Sequence, residues 1–239
     1  MIRGWYTSLS GVLAALRRLD VVADNVANVN TPGFRASRTA QFDFGVELSR
    51  ADGAHLGRLG TATVPNGPFL DPGQGVLEST GLPTDLAIEG DGLFVVRAPD
   101  GGLAYTRSGA FRFDVLGRLT TVDGFLVLDT EGQPIVAPPG AFVVAADGSI
   151  EGTGQRLALV AWPAGGVRRL GAALFAVDGP TTPAAGRIRQ GVLERSNVDL
   201  ASAMTDLIAL QRSMALSARA WSTTDATVDE AIRIGRLRG

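Results

Sequence analysis

Seven-residue spacing of apolar side chains at both ends of the chain restricts its fold more than any other feature. Ile2, Leu9, Leu16 and Ala23 lie seven apart, and Trp5, Val12, Leu19 and Val26 form a second row three residues on. Rows so offset are the a and d positions of a heptad, which fall on one stripe of a helix. Arg3, Ser10, Arg17, Asp24 and Asn28 occupy the other side, so a helix here needs an apolar partner. From Leu200 the spacing returns in Leu200, Met204, Leu207, Gln211, Met214, Ala218, Trp221, Asp225, Val228 and Ile232, with Ile208 and Ala215 widening the stripe. Gln211 and Asp225 interrupt it, at a cost in stability that fixes register. The expected fold class is α+β: long N- and C-terminal helices forming a coiled-coil pair, with a central antiparallel β domain. An ordinary helical hairpin closing one globular domain fits the same spacing.

Both helices have end signals. Asn28, Asn30, Thr31, Pro32 and Gly33 stop the first, because Asn and Gly tolerate left-handed backbone and Pro cannot continue the hydrogen-bond ladder. Phe34 then enters something packed. The run Ser196-Asn197-Val198-Asp199 offers a side-chain cap for the second, with an acid facing the positive end of the helix dipole.

Between the ends the pattern changes twice. Residues 35–80 mix short apolar pieces with Gly, Pro, Asp and Thr, as an extended connector with room for one hairpin would. From about residue 85, short apolar runs at 86–88, 93–97, 103–106, 111–113, 125–128, 142–145 and 157–162 alternate with turn residues, and Asp-Gly begins at 91, 100, 123, 147 and 178. That dipeptide supplies the positive φ angles of tight hairpins. With no long helical pattern between these runs, the sequence argues against βαβ units and a nucleotide-binding parallel sheet. The chain therefore divides into a helix and turn at 1–34, a connector at 35–80, a β-rich body at 81–190 and a helix at 191–239.

Chemistry is scarce. There is no cysteine, and His55 is the one histidine, so a metal centre or an activated nucleophile lacks its usual ligands and bases. All 22 basic residues are arginines, for which codon bias accounts, and the missing lysine removes the P-loop and Schiff-base readings. Gly90-Asp91-Gly92 and Gly165-Gly166 read as turns, and Asp123, Asp129 and Glu131 as solvated acids at strand ends. A net charge of −2 and no basic cluster beyond Arg17-Arg18 and Arg168-Arg169 argue against nucleic acid as a partner. No apolar run approaches a membrane span, and the N-terminus lacks the charged head and apolar segment of a cleaved signal. The expectation is of no enzyme, no cofactor, no metal and no small-molecule substrate. A β body with helices at both ends that await apolar partners is suited to polymerising into a helical tube.

Three stretches also carry a resemblance. DNVANVNTPGF at 24–34, holding Asn25, Asn28, Asn30, Thr31, Pro32, Gly33 and Phe34, resembles the N-terminal signature of bacterial flagellar axial proteins: rod, hook and hook-associated subunits. SNVDL at 196–200, followed by MTDLI at 204–208 and Gln211-Arg212, resembles their C-terminal signature. TDLAIEGDGLFVV at 84–96 and YTRSGAF at 105–111 are similar to the block shared by rod and hook proteins. Asp24, Met214 and Leu216 depart from the residues usual there, leaving the details of helix contact open.

The modest β body looks like that of basal-body rod proteins of the FlgF/FlgG kind. The resemblance implies a structural subunit of the rod, a hollow shaft spanning the periplasm that transmits torque from motor to hook. It implies export without a cleaved signal, and as partners copies of itself, other flagellar rod and hook proteins and the flagellar export apparatus. Ile2, Trp5, Leu9, Val12, Leu16, Leu19, Val26, Leu200, Met204, Leu207, Ile208, Met214, Trp221 and Val228 are the expected assembly interface. The polar residues of the turn either bond between subunits or cap and turn the chain. A non-polymerising adaptor or a cell-wall binding module is the alternative reading.

Overall fold

A computed structural model describes residues 2–49, 55–137, 142–163, 166–177 and 179–236, for the backbone alone at 2–10, 40–49, 55–67, 220–221, 224–232 and 234–236. The chain begins with α1 (Ile2–Ala27), followed by the long strands β1 (Ser37–Ser49) and β2 (His55–Leu70). Short strands come next: β3 (Leu77–Ser79), β4 (Leu86–Glu89), β5 (Leu93–Arg97), β6 (Leu103–Thr106), β7 (Phe111–Phe113), β8 (Leu119–Thr121) and β9 (Leu126–Val127). They continue with β10 (Leu159–Val160), β11 (Val167–Arg169), β12 (Leu174–Val177), β13 (Arg187–Gln190) and β14 (Val192–Glu194), before α2 (Leu200–Arg236).

These elements fall into two compact units. One holds Met1–Val26, Ser37–Phe69 and Asp199–Gly239; the other holds Ala27–Ala36 and Leu70–Val198. The second contains the main sheet, in the order β11-β12-β6-β5-β9-β8-β7 with β10 also on β5, and the antiparallel pairs β13-β4 and β14-β3. The central strand, β5, reads Leu-Phe-Val-Val, and all four side chains are buried. Successive strand residues point to opposite faces, and the packing follows: Phe94 and Val96 enter one apolar cluster, Leu93 and Val95 the other. The first cluster includes Leu86, Phe111, Leu119, Ile135 and Leu157. Phe94 meets Phe111 edge to face at 5.1 Å, as aromatic quadrupoles prefer. A continuous apolar run is thus what a strand between two cores requires.

The Asp-Gly turns form as their chemistry dictates. Between β5 and β6, Gly101 has φ 90°, and Asp100 accepts a hydrogen bond from the Gly102 N–H at 3.0 Å. The expected runs at 93–97, 103–106 and 111–113 are β5, β6 and β7. The run at 142–145 contributes only an isolated bridge at Val144. Strands β3, β8 and β11 to β14 were not anticipated, being too short or too polar for alternation to show.

One correction concerns the fold class. The structure has two terminal helices and a β-rich central region in several sheets, and no coiled-coil pair: among the described residues the helices make no extensive contact with each other. Their more buried positions coincide with the expected rows only in part. On α2 these are Ala203, Leu207, Leu210, Met214 and Ser217, while Met204, Ile208 and Leu216 are exposed. On α1, Ala14 and Ala15 are buried and Leu13 and Leu16 exposed. Heptad spacing shows that a helix carries an apolar stripe, and says nothing about which element covers it.

Candidate functional site

The three stretches with family-like sequence converge on one buried junction within the second unit. Gly33 begins it. Its φ of 68° suits glycine, and an added Cβ would lie 2.3 Å from the backbone nitrogen of Ser108, so the turn is pressed against the Arg107-Ser108 peptide. The Gly33 N–H donates to the Glu194 carbonyl at 2.8 Å. Phe34 follows, fully buried, with the Arg169 guanidinium 4.2 Å above its ring. Arg169 also donates to the Arg35 carbonyl.

Charge concentrates on the next residue. Glu194 on β14 accepts from Arg107 Nε at 2.6 Å on one carboxylate oxygen, and from Arg35 Nη1 and the Gly75 N–H, both at 2.8 Å, on the other. All three charged side chains are at most 3% exposed. Two guanidiniums facing one carboxylate leave a positive excess that would be prohibitive unless backbone dipoles offset it. Carbonyls do so. Arg107 donates to Gly92 at 2.5 Å and to Ile88 and Gly90 at 2.7 Å, and Arg35 donates to Gly73. Burial, and secondarily the charge of Arg107, holds the Arg35 guanidinium below its ordinary pKa, with Glu194 acting the other way. The Arg35 Nε has no hydrogen-bond partner among the described residues.

Asn197 closes the far side. Its carbonyl oxygen accepts from the Ala36 N–H at 2.7 Å, its amide donates to the carbonyls of Gly73 at 2.8 Å and Asp71 at 3.2 Å, and its own N–H reaches the Phe34 carbonyl at 3.3 Å. Gly109 lies against β4, where a Cβ would be 1.6 Å from the Leu86 carbonyl oxygen.

The turn residues have assigned places. In the first unit Asn25, buried at the end of α1, brackets the Ser37 backbone, donating to its carbonyl and accepting from its N–H, both at 2.8 Å. In the second, the Thr31 N–H and hydroxyl donate to Asn28 at 3.1 and 3.2 Å, while Pro32 is half-buried and Asn30 exposed. Of the expected interface residues, Leu16, Leu200, Met204 and Ile208 are exposed and Val12, Leu19, Val26, Leu207 and Met214 half-buried. The side chains of Ile2, Trp5, Leu9, Trp221, Val228 and His55 lie outside the described residues. Arg35, Arg107, Glu194 and Asn197 escaped the sequence reading, which treated Asn197 as part of a helix cap. That cap is Asp199, which accepts from the Ala201 N–H at 3.0 Å and the Ser202 hydroxyl at 2.6 Å. A second correction is Asp129, which is buried and takes the Glu131 and Gln133 N–H groups at 2.9 and 2.8 Å.

The same three stretches match family models. Residues 6–35 match the model described as flagella basal body rod protein, 87–155 the FlgE/F/G D1 domain of the flagellar hook protein, and 189–234 the C-terminal region of flagellar basal body rod FlgEFG proteins. The chain is 32% identical to the flagellar basal-body rod protein FlgG of Bacillus subtilis, over 99% of this chain and all of that protein. It is 34% identical to FlgF of Mesorhizobium japonicum, over 95% of each chain, and 35% identical to FlgF of Salmonella typhimurium, over 92% and 93%. The chain belongs to the FlgF/FlgG family of flagellar basal-body rod proteins. In this rod protein, therefore, the segments that mark the family are those that meet at Glu194. The carboxylate of Glu194 and the guanidiniums of Arg35 and Arg107 are buried and face one another and backbone carbonyls. Among the described residues no cluster of His, Asp or Glu is placed to hold a metal ion, and no helix is long and apolar enough to cross a membrane.

Proposed function

We propose that this protein is a structural subunit of the flagellar basal-body rod. It polymerises through its terminal helices into a hollow shaft that spans the periplasm and carries torque from motor to hook. The observation that carries this reading is the set of large apolar side chains left in solvent on both helices: Leu13 and Leu16 on α1, and Leu200, Met204, Ile208 and Leu216 on α2. Placed four apart on α2, these four leave a gap only at Arg212, and a row of this kind gains by meeting a neighbouring subunit. Its partners are then copies of itself and other rod and hook subunits, which it reaches through the flagellar export apparatus.

Light scattering with circular dichroism across a concentration series tests this. Mass and helix content are expected to rise together in the full chain, and Leu16→Glu or Ile208→Glu to prevent association. A chain that stays monomeric with unchanged helicity at high concentration overturns the proposal and favours an adaptor or wall-binding module.

A further inference from the structure

The buried junction joins segments far apart in the chain, and each leaves the others uncompensated if it departs. Without residues 33–36, the Arg169 guanidinium loses the Phe34 ring and the Arg35 carbonyl, and a fully buried aromatic leaves a void. Without residues 194–197, Arg35 and Arg107 remain buried side by side and lose the one carboxylate that bonds both. Gly75 is held as tightly, since a Cβ there would be 2.0 Å from the Arg195 carbonyl oxygen. Arg107 anchors on the carbonyls of Ile88, Gly90 and Gly92, which belong to β4 and the turn leading into β5.

We infer that residues 33–36 and 194–197 form a two-sided clasp on Arg107, and that the β body opens and closes only as one cooperative unit with both flanks seated. A chain released from its N-terminus therefore holds its body open until residue 197 has emerged, because Glu194 is the counter-charge that Arg35 and Arg107 await. Breaking one member of a buried charge cluster costs more than the cluster contributes as a whole, which is the physical basis for all-or-none closure.

Native-state hydrogen exchange on the full chain, at a concentration below association, tests the clasp without reference to assembly. The amides of Gly33, Ala36, Gly75 and Asn197, corrected for intrinsic rates, are expected to exchange within about threefold of the body amides Leu86, Leu119 and Leu128, as members of one opening unit do. Exchange of the flanking amides at least about 100-fold faster than the body overturns the inference, for it shows flanks that leave while the body stays shut. Asn197→Ala and Glu194→Gln are expected to speed flank and body amides by a common factor, about 100-fold or more for Glu194→Gln. Acceleration confined to the flanks is again the contrary result. If Glu194→Gln does not fold at all, the wild-type comparison and Asn197→Ala still separate the two outcomes.

Discussion

Gly33 shows how one position combines a backbone and a packing requirement. Alanine there would meet a positive φ and a peptide at 2.3 Å, so Gly33→Ala is expected to destabilise the second unit by about 3 kcal/mol or more in chemical denaturation. An unchanged midpoint would mean the turn relaxes away from Ser108. The charge cluster has a different signature. Arg107→Met leaves Glu194 with Arg35 and the Gly75 N–H but removes the donor that the Gly90 and Gly92 carbonyls share, while the Ile88 carbonyl keeps Gln74 Nε2, and is expected to cost about 3–5 kcal/mol. In a double-mutant cycle with Glu194→Gln the two losses are expected to fall well short of additive. Additive losses would show that the residues act separately.

At β5 and α2 local sequence is answered by packing and capping respectively. Phe94 lies in the central strand, in edge contact with Phe111 and fully buried. Phe94→Ala is expected to cost about 3–5 kcal/mol, and a loss below about 1 kcal/mol would indicate that the core collapses around the gap. For α2 the expectation concerns pH. The Ser202 hydroxyl, then the N–H groups of Ser202 and Ala201, hold the Asp199 carboxyl below the usual carboxylate range. With its folded pKa below the unfolded value of about 3.9, Asp199 supports the helix start fully at neutral pH, and that support is lost as pH falls through the folded value. Amide exchange at the start of α2 should therefore quicken, beyond the intrinsic trend, below about pH 4 and not between pH 5 and 8. Asp199→Asn should keep the cap and abolish that dependence. Persistence of the dependence in the Asn variant would point to another group.

Across the whole chain, the two units are expected to respond separately to damage. Charged residues at Leu16 or Ile208 remove apolar surface that is already in solvent, so folding of the β body should be untouched while association is lost. Slow exchange of Leu119 and Leu128 in an Ile208→Glu chain that no longer associates is the expected observation. Fast exchange there would mean that the α2 surface supports the body rather than a neighbour.

How much of this was legible in the sequence varies with how local its cause is. Heptad rows announced two terminal helices, Asp-Gly announced turns, and Leu93 to Arg97 announced a strand, because each is written in neighbouring residues and their intrinsic geometry. The family resemblance lay in contiguous motifs, and the comparisons uphold it. The partners of those elements were not legible. A stripe on α1 or α2 carries no address, so the expected coiled-coil pair rested on spacing that any apolar surface satisfies. Arg35, Arg107, Glu194 and Asn197 look like ordinary surface polar residues in the sequence. Only the tertiary fold brings Glu194 within 2.6 Å of Arg107, 87 positions away, and removes both from water. Residue type states what a side chain can bond; which buried charge it must answer depends on contacts between segments that no local pattern encodes.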